Sequence, residues 1–512
     1  MTLIAAGVGF GIRGAILGDW GAQFGFTKSE LGSITGGGLV GFGAVILFCS
    51  LFVDRVGYKP MLMLAFVLHL LSAVLTLAAT PVFNAMGKDA CYMCLYVGMF
   101  MFSVANGVCE SVINPLIATA YPDRKTHYLN ILHAGWPGGL ILGGVFAYLF
   151  CGANPVITHL RWEIPMAVFL IPTLIYGFIV LKERFPVSEA TAAGVKFGDM
   201  VSCFASPVLL SLLVLHAMIG YVELGTDSWI TNIMNNVVGE YAILLFVYTS
   251  GLMFVLRFFA GPIVERINPV GLLLVSSVLG CIGLYWLGSA DAGIMVLIAG
   301  TVYALGKTFL WPTILGVVGE RYPKGGALVM GAMGGIGMLS AGLLGSPIIG
   351  YNQDYYASTK LAQTSEPALE RYQVDEATGI SHLPFLDPIK GLDGAKVATL
   401  LEDGEADMKK RAALLEKENK SVSDDDKLQA LMTWWENANP YAEADKEVVT
   451  AARLEGGRMA LKLTAIVPLM MAIGFALLFV YFRMTGGYQA IELRGHHAKG
   501  EEFTGGVEGP VR

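Results

Sequence analysis

Two short stretches put ionisable groups inside apolar runs. In NGVCESVINP, Asn106, Glu110 and Asn114-Pro115 follow one another at four-residue steps; in YALGKTFLWP, Tyr303, Lys307 and Trp311-Pro312 do the same. Side chains four apart stack on one helix face, so each stretch carries a polar stripe with one full charge at its centre, negative in the first and positive in the second. A charge at bilayer depth costs about 2.5 to 3.5 kcal/mol even on the lenient insertion scale, and it persists mainly where it faces a cavity or a partner. Two such groups at corresponding places imply a polar path between repeated halves. The chemistry open to them is proton uptake at the acid and hydrogen bonding by the amides beside it.

Other polar residues in apolar surroundings join this set. Arg13 is either a ligand for an anion or the partner of Glu110, and Lys307, with no acid nearby in sequence, is expected to face a cavity. His133 can carry a proton, given an ordinary pKa of about 6.5, hydrogen-bond a solute, or pack between helices. Trp20, Trp136 and Trp311 read as cavity walls, since aromatic faces cover apolar patches while leaving hydrogen bonds free at their edges. His216, Gly220, Glu223 and Asp227 share one helix face; the acids there either serve an external gate or simply lie wet near a helix end. Arg257, in RFFAGPIVER, is expected to support a cytoplasmic gate with Glu265 and Asp54.

Several patterns carry no such chemistry. Gly9-Phe10-Gly11-Ile12-Arg13-Gly14 fits a dinucleotide fingerprint, but no strand precedes it, and it reads as helix packing, as do Gly139-x3-Gly143 and Gly331-x3-Gly335. Cys91 and Cys94 form a lone CxxC with no second ligand pair. No P-loop, HExxH or nucleophile elbow is present, so neither enzymatic activity nor a bound cofactor or metal is expected.

The elements that position these residues are membrane helices. Hydrophobic residues make up 54% of the 512 and charged ones only 15%, with a mean hydropathy of +0.60, values foreign to a soluble domain of this length. Apolar runs of about 20 residues fall at 2–24, 29–53, 60–81, 90–121, 126–151, 163–182, 207–232, 239–264, 270–289, 292–321, 326–351 and 459–482, twelve spans divided six and six by the polar stretch 184–206. The net charge of -7 is local: residues 352–458 hold 21 acids and 13 bases, leaving 20 acids and 21 bases elsewhere. Within that insert, ATLLEDGEADMKKRAALLEKENK and DDDKLQALMTWWENA read as amphipathic helices of a small cap, and Asn419-Lys420-Ser421 fits a glycosylation sequon. Arg55, Lys59, Arg124, Lys125, Lys182, Arg184, Lys196, Arg266, Arg321 and Lys324 all fall in loops on one side. The positive-inside rule puts that side, and both termini, in the cytoplasm of a multi-pass plasma or inner membrane protein, with the insert outside. The expected units are therefore 1–183 and 207–351 with 459–483 as the two halves, 184–206 as linker, 352–458 as insert and 484–512 as tail.

Repeats support the halving. Asp54-Arg55 and Glu265-Arg266 end the second and eighth spans 211 residues apart, and AYPDRK and RYPK close the fourth and tenth 201 apart. SLFVDRVGYK at 50–59 is similar to the G-x-x-x-D-R-x-G-R-K motif of the major facilitator superfamily, with Ser50 for its first Gly and Tyr58 for its first base. The stretch 110–139 resembles the fucose permease and glucose/galactose proton symporter branch, through Glu110, Asn114, Pro115, Leu129 and Asn130. That resemblance implies an all-α membrane fold of twelve helices in two pseudo-symmetric halves, here with an extramembrane helical insert. It implies a monomeric secondary transporter for a monosaccharide or sugar derivative, with Glu110 as the proton site and Asn114, Asn130, His133 and Trp136 at substrate-contact positions; the polar stripes and cavity walls add Arg13, Trp20, Asn106, Tyr303, Lys307 and Trp311 to the expected substrate contacts. It also implies a cytoplasmic gate at Asp54, Arg55, Arg257, Glu265 and Arg266. The branch carries an acid where this chain has Arg13, and amides where it has His133 and Trp136. A small organic anion such as a sugar acid, or a non-transporting sensor on the same scaffold, are the other readings; the partners are a small solute, protons and lipid, not nucleic acid.

Overall fold

The computed structural model describes residues 1–493 apart from 27–29, 32, 35–37, 152–155, 292, 378, 381, 402–403, 418–420 and 492. Asn419 of the sequon and most of the tail lie outside the described residues. With no water in a bilayer core, backbone groups must be satisfied within their own segment, which selects helices from long apolar runs. Nine helices among the described residues are long and apolar enough to cross a membrane, and three shorter apolar ones, Thr2–Ala15, Gly38–Ser50 and Ala242–Arg257, stand where the first, second and eighth spans were expected.

Two hydrophobic cores form, one per half. The first gathers residues from Leu3 to Val180 around Trp20, Phe102, Trp162 and Phe169; the second runs from Leu209 to Phe482 around Leu273, Tyr303, Trp311 and Phe475. They interlock where the second and eleventh spans cross: Phe42 and Ile46 belong to the second core, and Ala327 to the first. Side chains such as Val74, Leu142, Ile171, Val214 and Leu477 are more than half exposed, the apolar outer belt that lipid would cover.

Glycines set how closely helices approach. A Cβ on Gly139 would sit 2.4 Å from the carbonyl oxygen of Ile4, and one on Gly335 would strike the side chain of Leu47. The two G-x-x-x-G stretches are therefore packing seams, between the first and fifth spans and between the second and eleventh.

Several spans are interrupted, and the interruptions matter. The tenth divides into Gly293–Lys307 and Leu310–Arg321, four residues ahead of Pro312, and the seventh and eleventh contain wide turns at Tyr221–Gly225 and Ala341–Gly345 that pack on each other. Such a turn leaves a carbonyl without its usual donor; Tyr303 fills that place, its hydroxyl donating to the Val222 oxygen at 2.9 Å.

The insert grows out of the bundle rather than hanging from it. Ser346–Thr364 continues the eleventh span beyond residue 351, and Ala442–Thr464 leads into the twelfth, Ile466–Met484, so that two long helices pack antiparallel with Gly456 against Gln353. Leu361, Tyr372, Val397, Leu400, Val449 and Ala452 make a small core roofed by Trp434 and Trp435. Arg371 closes it with paired hydrogen bonds to Asp445 at 2.8 and 2.6 Å. At the cap's far side, burial would raise the Asp425 carboxyl. The Leu428 N–H and Arg411, with Lys88 of the first half adding to them, bring it below its ordinary range.

Candidate functional site

The acid stripe of the fourth span, Lys88–Ala120, meets the fifth span, Lys125–Phe150, at His133. Glu110 and Asn114 lie one turn apart, and the Asn114 amide donates to the Glu110 Oε1 at 3.2 Å. The Asn114 Oδ1 bonds the His133 Nε2 at 2.8 Å, and that nitrogen lies 3.7 Å from Glu110 Oε1. Glu110 and His133 are 3% and 5% exposed. Asn130, one turn before His133, donates to the Thr313 hydroxyl of the tenth span at 3.2 Å and leaves its own Oδ1 without a partner.

Asn106 turns elsewhere. Its Oδ1 bonds His69 Nε2 at 3.1 Å, whose Nδ1 reaches the Tyr176 hydroxyl at 2.6 Å, inside the first half. Arg13 joins that interior. Its guanidinium donates to Ser72 Oγ at 3.2 Å and to the Gly9 carbonyl, and stands 3.8 Å over the Phe102 ring. The Arg13–Glu110 pair, one of the two readings of Arg13, is thus not formed, and no carboxylate approaches Arg13 among the described residues. Trp20 is also interior, edge-on to Trp162 at 5.7 Å with no exposure; it is core, not cavity wall. Trp136 is half-buried against Phe10, and Trp311 lies 4.4 Å from His216.

In the second half the cations are paired. Lys307 Nζ bonds Asp227 Oδ1 at 2.5 Å and lies 5.2 Å from the Tyr303 ring, so it is not the unpartnered cation that its local sequence suggested. Arg257 bonds Glu223 at 3.1 Å and is 1% exposed. Glu223 is buried too, so the wet-end reading of that acid gives way. A gate role for Arg257 beside Asp54 and Glu265 likewise gives way: its three partners are Glu223 and the carbonyls of His133 and Thr308, all deep in the bundle. Periodicity cannot show these pairings, because each partner arrives from a helix some 34 to 80 residues away.

The remaining gate candidates lie at the base-rich face. Asp54 accepts from the Ala327 N–H at 2.9 Å, placing a carboxylate at the start of the eleventh span, where helix N–H groups lack partners and the dipole favours an anion. Glu265 reaches Arg124 at 3.4 Å in solvent; Arg55 stands over Phe197, and Arg266 is exposed. Residues not singled out from sequence complete the closure. Glu320, ending the tenth span, accepts from the N–H and hydroxyl of Thr126, starting the fifth. Lys125 bonds Glu189 of the linker at 2.6 Å and the Gly319 carbonyl at 3.2 Å. The acid preceding RYPK, like the acid of the DR pair, was the available signal for Glu320.

Residues 1–346 match the family model described as Major Facilitator Superfamily. The fold resembles the E. coli fucose:proton symporter FucP, at 15% identity over 68% of this chain and 90% of that one, TM-score 0.55. It also resembles the proton:xylose symporter XylE bound to 6-bromo-6-deoxy-D-glucose, at 15% over 71% and 89%, TM-score 0.58. A bacterial homolog of the human lysosomal transporter Spinster, inward-facing, aligns at 14% over 93% and 94%, TM-score 0.56. A search of curated proteins by sequence finds no match. At these identities the likeness is one of fold.

Proposed function

The chain belongs to the major facilitator superfamily of membrane transporters, and from that premise we propose that it moves a small polar solute, a monosaccharide or close derivative, by alternating access coupled to protons. The observation that carries this reading is Glu110. It is a buried carboxyl with an amide and an imidazole for neighbours and no arginine or lysine beside it among the described residues. Charging a carboxyl in such a place is costly unless water or a cation reaches it. Its proton is therefore tied to which face of the bundle is open.

A neutral solute fits the rest of the stripe. Lys307 and Arg257 are already neutralised by Asp227 and Glu223, while Asn114, Asn130, His133 and Trp136 offer the mixture of hydrogen bonds and ring surface that a pyranose uses. A small organic anion is the second reading, carried by the Arg13 guanidinium, which has no counter-ion among the described residues. The base-rich face, with Asp54, Arg55, Glu265 and Arg266, is the cytoplasmic gate in this proposal, and the insert lies outside. Maleimide should then label Ser423→Cys, but not the exposed Ser202→Cys, in intact cells.

Proteoliposomes with an imposed inward proton gradient test the function. Radiolabelled fucose, xylose, glucose and galactose are compared with gluconate and glucuronate. Gradient-dependent accumulation of one of the neutral sugars is expected. Accumulation confined to the acids transfers the proposal to the anion reading, and binding without accumulation of anything defeats transport.

A further inference from the structure

Two prolines sit within the helices of the fifth and tenth spans, Pro137 inside Lys125–Phe150 and Pro312 near the start of Leu310–Arg321. A proline has no N–H to donate to the carbonyl four residues back. Pro137 in the fifth span therefore frees the carbonyl of His133, and Pro312 in the tenth frees that of Thr308. Buried carbonyls do not ordinarily go without a donor. Both of these find the same one: Arg257, the last residue of Ala242–Arg257, donates from Nη1 to His133 O at 2.6 Å and from Nε to Thr308 O at 2.8 Å, while Nη2 bonds Glu223 at 3.1 Å.

Of these three bonds, two stay within the second half and one crosses to the first. The crossing bond lies where the fifth and eighth spans touch, with Phe254 against Gly138 and Val247 against Gly144. It also ends on the residue whose imidazole approaches Glu110. We propose that Arg257 is a positioning residue for alternating access. Held by Glu223 and Thr308, it latches onto the carbonyl that Pro137 leaves free, keeping the halves closed at mid-depth until the fifth and eighth spans part. The proposal rests on the transporter reading but needs no knowledge of the solute, so a transport assay that fails while the latch behaves as described counts against transport alone.

The test uses the full chain in lipid nanodiscs, with nitroxides attached through p-acetylphenylalanine, which leaves the native cysteines untouched. One label pair, at Tyr148 and Leu244, reports the spread of the fifth and eighth spans at one face, and a second, at Asp123 and Phe259, reports the other. Pro137→Ala returns a helical N–H to His133 and alters no charge. Arg257→Lys keeps a cation for Glu223 but cannot span three acceptors. Each is expected to move about tenfold in the closed-to-open ratio at one face or the other, the scale of one charge-assisted hydrogen bond. The double variant should be no more open than Arg257→Lys, because both changes remove the same bond. Distances unchanged in both pairs for Pro137→Ala, or additive effects in the double variant, overturn the latch. Pro137→Ala removes no helical hydrogen bond, so it keeps the test decisive if Arg257→Lys folds poorly.

Discussion

The two halves handle buried charge in opposite ways. In the second, each cation of the interior has its own acid, Arg257 with Glu223 and Lys307 with Asp227. In the first, Glu110 and Arg13 are equally buried yet stay apart, the acid among an amide and an imidazole and the base among rings and a hydroxyl. A buried pair contributes little net stability but is costly to break, whereas a solitary buried charge is costly as it stands. The first half therefore retains charges that it would be more stable without. Such groups inside membranes are kept for what they do, and on the function proposed above the chemistry belongs to the first half and the mechanical linkage to the second.

The largest expected effect follows from that division. Glu110→Gln should abolish gradient-driven accumulation while leaving exchange of internal for external solute largely intact, and its thermal stability should match or exceed the parent's. Accumulation at parental rates would remove Glu110 from coupling and leave the two halves alike.

Next in size is damage to a pair. Lys307→Met should destabilise by about 3 to 5 kcal/mol, because Asp227 is left charged and unpaired. Adding Asp227→Leu should restore most of that loss, and denaturation of the purified protein reads both. Arg13→Met, made for comparison in the first half, should destabilise far less than Lys307→Met. A loss of equal size would mean that Arg13 has a partner after all, and the contrast between halves would fail.

How much of this was visible in sequence depends on the range of the interaction. The spans, their halving and the helical nature of the insert follow from runs and periodicities, and the nine long and three shorter apolar helices among the described residues, with the two cores, bear out the fold. The Glu110–Asn114 contact was also legible, being one helical turn. What periodicity does not encode is which way a long side chain turns once several helices surround it. Arg13, whose nearest acid in sequence is Asp19, was free to go to Glu110 or into its own half; Phe102 and Ser72 decided it. Lys307 looked unpartnered because Asp227 sits on a different helix, 80 residues earlier. Arg257 was drawn toward Glu265 by closeness in sequence, while the carbonyls that hold it are exposed by prolines far away. Those prolines were visible; the geometry that joins them was not.

A smaller effect separates solute classes. For a neutral sugar, Trp136→Ala should weaken binding by the 0.5 to 1.5 kcal/mol typical of a lost aromatic contact, about two- to tenfold, and Arg13→Gln should change it less, since Arg13 points into the first half and not toward Trp136. Isothermal titration with the best sugar from the transport panel compares the two. If Arg13→Gln proves the worse, the solitary cation is a ligand and the solute an anion.

The smallest effect concerns the base-rich face, where the first half reaches the second through Asp54. Burial, opposed by hydrogen bonds from Ser188 and the Ala327 N–H, holds this carboxyl above its ordinary range when the face is closed. When the face opens, Asp54 is solvated and returns to an ordinary value. The closed state therefore binds the extra proton, so acidification favours closure and a rise in pH through the raised value favours opening, by about 1.4 kcal/mol for each unit separating the two values. The Asp123–Phe259 label pair should shorten as pH falls through the carboxylate range, and Asp54→Asn should remove that response. An undiminished response in the Asn variant would assign the pH dependence to another group. A response of opposite sign would mean that the Ala327 N–H and its helix dipole outweigh burial, making the Asp54 contact one that a proton opens.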